Sequence, residues 1–348
     1  MQTRIRDYGV RIGELNTGRL NKITDVSGVK IGHSTISNGV VNTGVTALHP
    51  HSGNIFEQKV VSAAHVFNGF GKSIGLLQIE ELGTIETPIL LTNTLSIGTC
   101  TNSLITYMLD KNGQIGRTTG TVNPVIGECN DMFLNDIREL AIREDHVLEA
   151  LETAADDFEE GGVGAGTGMK CFGLKGGIGS SSRVIQFPHG AYTIGVLTLT
   201  NFGVLENLRI NGIHAGEKIR NKLPDNSSEP DKGSVIVLVA TDLPVTSRQL
   251  KRVIKRAGVG LSRTGSYIGN GSGDIVIGFS TANKVSHDPA QDLVSLTAIH
   301  EDDIDQAFTA VADATEEAVL NSMITANTVK GRDGHTLYSL RKYIDDLL

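Results

Sequence analysis

The sequence predicts a mixed α/β protein whose buried sheets are covered by helices. Three observations carry that prediction: recurrent short aliphatic runs, one-sided apolar patterns at helical spacing between some of them, and an excess of glycine near their ends. The 348 residues include 41 glycines, against roughly 7% in ordinary proteins. They follow no collagen or linker period, and they suit turns and close main-chain approach.

The strand signals are residues 73–80 (SIGLLQIE), 88–92 (PILLT), 193–200 (TIGVLTLT), 234–240 (SVIVLVA) and 274–280 (DIVIGFS). Each is short, aliphatic and bounded by turn residues. Helix signals differ in period. In residues 248–257, Leu250, Val253, Ile254 and Ala257 share one face, and Thr246 stands three residues before Gln249, the capping-box spacing. Ile304, Phe308, Val311, Val319 and Met323 mark a longer helix near the C-terminus. Residues 134–158 also read as helical, with a break near Asp145.

Composition sets the outer limits. Hydrophobic residues make up 39% and charged residues 20%, enough apolar material for a large core and too little charge for a disordered chain. The net charge of −8 argues against a nucleic-acid partner, which calls for clustered Lys and Arg. No apolar run reaches the length of a membrane span, and the N-terminus lacks the apolar centre of a secretory signal. Cys100, Cys129 and Cys171 are odd in number and contain no CxxC pair, so a disulfide framework or zinc knuckle is not expected. The expectation is a reduced, cytoplasmic setting, with no metal or cofactor and no nucleic-acid or membrane partner.

One junction stands out. Residues 221–233 (NKLPDNSSEPDKG) are polar and proline-bearing, the composition of an exposed loop, and the apolar run starts abruptly at Ser234. The plain reading is a surface loop before a strand. The chemical reading is a cleavage site. A serine hydroxyl is a weak nucleophile until a base takes its proton. An N-terminal serine carries its own base, an α-amine with a pKa of about 7.7. That amine exists only once the Gly233–Ser234 bond is cut. The same hydroxyl can attack the Gly233 carbonyl, forming an ester as the peptide C–N bond breaks and the nitrogen becomes the amine. Water then releases the ester.

Two further stretches offer polar groups. Residues 263–280 present Ser266, Asn270, Ser272 and Asp274 on a glycine-rich turn entering a strand. Their groups can orient an amine or hydroxyl, or simply cap a turn. Residues 161–183 (GGVGAGTGMKCFGLKGGIGSSSR) have neither GxGxxG nor Walker A spacing, so backbone amides lining a cleft are a better expectation than a phosphate site. HExxH is absent, against a zinc peptidase.

Taken together, these segments resemble the DmpA family, the L-aminopeptidase/D-esterase and β-peptidyl aminopeptidase group of peptidase family S58. The resemblance runs through NKITDVSGVKIGH (21–33), TGVTALH (43–49), EELGTIETPILLTNTLSIG (80–98) and GECNDMFLN (127–135). It continues through VGAGTGM (163–169), KGGIGSSSR (175–183), GSVIVLVATD (233–242) and RTGSYIGNGSGDIVIGFSTAN (263–283). It implies a four-layer αββα fold, architecturally similar to N-terminal-nucleophile hydrolases. It also implies one domain cut into a larger chain, 1–233, and a smaller chain, 234–348. By resemblance, Ser234 is the nucleophile, Ser272 and Asp274 support it, and Asn201 donates to the oxyanion. Glu128 faces the substrate's free amine. Some relatives carry tyrosine where this chain has Asn130, so the substrate pocket is expected to differ there. Implied substrates are peptides and amino-acid amides or esters, including β-amino-acid peptides, and the implied assembly is a homo-oligomer, a tetramer of processed units. Two alternatives stay open: an acyltransferase of the ornithine acetyltransferase type, and an uncleaved, non-catalytic scaffold.

Overall fold

The computed structural model describes residues 2–222, 233–288 and 292–347. Most of the polar stretch expected as a loop, residues 223–232, lies outside the described residues. In chain order the first strands are β1 (Lys30–Ser37), β2 (Asn42–His49), β3 (Gln58–Gly69), β4 (Thr84–Ile85), β5 (Ile89–Asn93) and β6 (Val125–Cys129). A short hairpin follows, β7 (Lys170–Cys171) with β8 (Leu174–Lys175), then the long β9 (Gly177–Phe187) and β10 (Gly190–Asn201). After the ribbon β11 (Arg209–Ile210) and β12 (Ile213–His214) come β13 (Ser234–Thr241), β14 (Gly273–Ser286), and a last ribbon of β15 (Val329–Lys330) and β16 (Thr336–Leu337). The α-helices are α1 (Leu76–Leu82), α2 (Ile97–Lys111), α3 (Glu144–Glu152), α4 (Ala215–Arg220), α5 (Ser247–Ile254), α6 (Ala257–Arg263) and α7 (Asp305–Ile324).

Two sheets form the middle of the molecule. One has the order β1-β2-β5-β6, the other β4-β3-β14-β13-β10-β9. The central pair β13 and β14 is parallel, and both flanking pairings are antiparallel. Strand β13 is buried along its whole length, so its near-continuous Val, Ile and Leu run must serve two faces. Its alternation does so. Val235, Val237 and Val239 pack in the core shared with α5, α6 and α7, while Ile236, Leu238 and Ala240 pack in the core shared with the four-stranded sheet. Helices α2 and α3 bury Leu104, Met108, Val147 and Leu151 against the outer side of that sheet. The result is helix, sheet, sheet, helix, as the resemblance implies.

The capping box before α5 forms as expected, with Thr246 Oγ1 accepting from Gln249 N at 3.2 Å and Gln249 Oε1 accepting from Thr246 N at 3.1 Å. Helix α7 is tied to β9 by a fully buried ion pair, Arg183 to Glu317 at 2.7 Å. Removing one partner of such a pair costs about 3–5 kcal/mol.

Two expectations fail. Residues 73–80 are not a strand. Ile74 makes a single bridge to Ile126, and Gly75 then turns left-handed (φ 89°) and opens α1. Leu77 is 89% exposed beside buried Ile79, so the aliphatic run belongs to a one-sided helix. Residues 134–158 are helical only from Glu144 to Glu152, after a 3-10 turn (Ile137–Glu139) that Leu140 ends at a left-handed φ of 46°. Among the described residues, no helix is long and apolar enough to cross a membrane.

Candidate active site

The ends of three neighbouring strands build the site. Ser234, the first residue of β13, lies opposite Asn201, the last residue of β10. On its other side it lies opposite Gly273, the first residue of β14. By the alternation of their strands, Ser234 and Asn201 continue the rows of Ile236 and Leu199 toward the space between the sheets. Both are largely buried.

A single amide organises the junction. Gly273 N–H donates to Ser234 Oγ at 3.1 Å and to the carbonyl oxygen of Gly233 at 3.3 Å. The hydroxyl and the carbonyl it would attack therefore share one donor. Position 233 has no space for a side chain: a Cβ there would lie 1.9 Å from the Asn201 carbonyl oxygen and 2.5 Å from Phe202 Cα. Glycine is required by this close passage of two backbones.

Next to Gly273, the Ser272 hydroxyl donates to Asp274 Oδ1 at 2.7 Å, and both residues are buried. The turn leading to them is stapled by Asn68, whose amide donates to the Gly269 and Asn270 carbonyls at 3.1 Å each, and to that of Ser272. Asn68 pairs with Asp274 just where β3 and β14 shift register. Such irregularities re-aim side chains beside functional sites. Ser266 and Asn270, singled out in the sequence, stay outside this cluster: the Ser266 hydroxyl accepts from Ile268 N at 3.2 Å, and Asn270 offers Asn68 its carbonyl.

Asn201 is held at both ends of its amide. Its Oδ1 accepts from Lys170 N at 2.9 Å, and its Nδ2 donates to the Asn130 carbonyl at 3.0 Å. A primary amide has two N–H bonds, and among the described residues only one is used, so a second donor is left for a ligand. Asn130 thus contributes its backbone, while its exposed side chain accepts from Met132 N at 3.1 Å. Of the amides in residues 161–183, Lys170 N is the one that points at Asn201.

Glu128 lies within β6 and is buried. One carboxylate oxygen accepts from Lys72 N at 2.8 Å, and the other accepts from the Thr94 hydroxyl. Among the described residues no helix follows Glu128 directly, so its carboxylate caps none. A Cβ built on Gly71 would lie 3.5 Å from Glu128 Oε1 and 3.7 Å from Gly273 Cα. The carboxylate therefore flanks the Ser234 corner. The intervening Cys129 thiol is pushed well up, by burial first and then by the charges of Glu128 and Asp274. It packs as an apolar group and is no rival nucleophile.

Thr94, Asn68 and Lys170 were missed by sequence reasoning. Thr94 sits inside the 80–98 motif, the one signal that pointed near it. Among the described residues, no cluster of His, Cys, Asp and Glu fits a metal ion.

The sequence profile of peptidase family S58 matches residues 21–337. The chain belongs to peptidase family S58. It is a hydrolase of the aminopeptidase type. Beta-peptidyl aminopeptidase BapA of Sphingosinicella microcystinivorans is 36% identical, over 97% of this chain and 89% of that protein. The solved structure of the PH0078 protein from Pyrococcus horikoshii OT3 superposes with a TM-score of 0.94 at 48% identity, covering 99% of this chain and 98% of the other. That of the L-aminopeptidase D-Ala-esterase/amidase from Ochrobactrum anthropi, described as a variant of the Ntn hydrolase fold, gives 0.91 at 35% identity and covers 99% of both chains. Within S58 the acyltransferase alternative is not favoured.

Proposed function

We propose that this S58 peptidase cuts itself between Gly233 and Ser234, and that Ser234 then hydrolyses amides and esters of substrates with a free amino group. The shared Gly273 N–H contact to Ser234 Oγ and the Gly233 carbonyl carries this reading. In the precursor, Oγ adds to that carbonyl and the Gly233–Ser234 C–N bond breaks to leave an ester. Water converts the ester to the Gly233 carboxylate and a free Ser234 with its own α-amine. The chain becomes 1–233 and 234–348.

In turnover the Ser234 amine takes the hydroxyl proton as Oγ attacks the substrate carbonyl, then returns a proton to the leaving group. Asn201 Nδ2 donates its second N–H to the developing oxyanion. Ser272, itself held by Asp274, orients the Ser234 amine. Glu128 pairs with the substrate ammonium in a confined site, where a charge-assisted bond is strong. The relatives named for β-peptides and for D-Ala esters and amides extend the candidate substrates to those classes. Met132, 52% exposed, and Asn130 lie beside the Asn201 anchor, where substrate preference would be shaped. A cytoplasmic homo-oligomer of processed units belongs to the same reading, on the cysteine usage and the resemblance.

The test compares an amino-acid p-nitroanilide with its N-acetyl form. Hydrolysis of the free amine alone is expected. Equal rates on both would contradict the role of Glu128.

A further inference from the structure

Lys175 is an expensive residue. Its side chain is fully buried. Its ammonium donates to three main-chain carbonyls, Gly166 at 2.8 Å, Met169 at 3.1 Å and Gly176 at 2.7 Å. All three N–H bonds are used, and no carboxylate receives one. Burial pushes its pKa down to about 7, opposed by Cys171 and Asp131. An apolar residue of the same length would avoid that cost.

The Met169 carbonyl, which accepts from Gly176 N at 3.0 Å as well as from the Lys175 ammonium, shows what the cation acts upon. It belongs to the same peptide group as Lys170 N–H, and that N–H donates to Asn201 Oδ1 at 2.9 Å. The path runs from ammonium to Met169 carbonyl, through one rigid peptide plane, to Asn201 and its amide donor. Planarity of that unit means that fixing its oxygen also aims its N–H. The hairpin is anchored where Asn201 ends its strand: Lys170 pairs with Lys175 across β7 and β8, Phe172 and Gly173 turn with left-handed φ of 48° and 70°, and Phe172 N donates to the Phe202 carbonyl at 2.7 Å.

We infer that Lys175 is a positioning residue for the oxyanion donor: its buried ammonium fixes the Met169–Lys170 peptide, which in turn fixes the Asn201 side chain. The inference rests on Asn201 being that donor. A hydrogen bond at each end of a peptide also polarises it, so the cation strengthens the bond to Asn201 as well as aiming it. Lys175 touches no reacting atom, and its effect must pass through Asn201.

The experiment is a double-mutant cycle in processed enzyme, using Lys175→Met, Asn201→Ala and the pair, with kcat and KM on an amino-acid p-nitroanilide. Asn201→Ala alone reports on the underlying assignment: an unchanged kcat would remove it, and the inference with it. Given a loss there, Lys175→Met is expected to lower kcat roughly 10- to 100-fold with KM within about twofold, and the double variant to be no slower than Asn201→Ala. Wild-type kcat in Lys175→Met, or losses that multiply in the double variant, would overturn the inference while leaving Asn201's role intact. Lys175→Gln, which keeps a donor for one carbonyl, serves if Lys175→Met does not fold, judged by near-UV circular dichroism. It is expected to show the same split with a smaller loss. If neither variant folds, Lys175 is a residue of the core and the inference fails.

Discussion

Two glycine-rich stretches flank Ser234, and they serve it by different means. Residues 263–280 bring side chains: Ser272 and Asp274 are joined at 2.7 Å at the start of β14. Residues 161–183 bring main chain: Lys170 N reaches Asn201, and three carbonyls wrap Lys175. The first turn is stapled from outside by the neutral amide of Asn68. The second is organised from inside by its own buried cation. Side-chain chemistry can be altered one group at a time, whereas a main-chain scaffold changes only through whatever holds it. The two sides should therefore fail differently.

The largest effect short of losing the nucleophile is expected on the scaffold side. Asn201→Ala removes the proposed oxyanion donor and should lower kcat about 10²- to 10³-fold with little change in KM. Steady-state kinetics on fully processed protein checks this. On the side-chain side, Asp274→Asn keeps shape but removes the charge that holds Ser272. A loss of about 10- to 100-fold in kcat/KM is expected, the scale of one hydrogen bond to a charged group. Because β14 is held by ladders on both sides, its melting temperature should move little. A large drop in melting temperature with normal kinetics would make Asp274 structural. The smallest effect is expected at Glu128. Glu128→Gln should raise KM for free-amine anilides about tenfold and leave kcat nearly unchanged, since the proposed ammonium contact would be made in substrate and transition state alike.

The same contrast explains what could be read in advance. The strands at 88–92, 193–200, 234–240 and 274–280 were legible because a twice-buried strand reads as an unbroken aliphatic run. The run at 73–80 looked alike and became a helix, since short apolar stretches do not declare their period. Ser234 was legible from its own junction, a polar stretch meeting an apolar one at Gly-Ser. Ser272 and Asp274 were visible as polar residues on a turn, though their roles came from family resemblance. Asn201 carries no local signal. It matters because antiparallel pairing sets it against Ser234, a register fixed by contacts far apart in sequence. The hold of Lys175 on the Met169 carbonyl is harder still to foresee, since all its acceptors are backbone atoms and every residue has those.

All of this turns on Ser234 acting twice, on its own chain and then on substrate. The direct test is Ser234→Ala beside wild type, by denaturing gel and intact mass, with turnover of an amino-acid p-nitroanilide measured on both. Wild type should give two fragments, 1–233 and 234–348, and turnover. The variant should remain one chain of 348 residues and lack turnover, because the substitution removes the hydroxyl that shares the Gly273 N–H with the Gly233 carbonyl. Cleavage of the variant at the same bond, or substrate turnover by the uncut chain, would contradict the account.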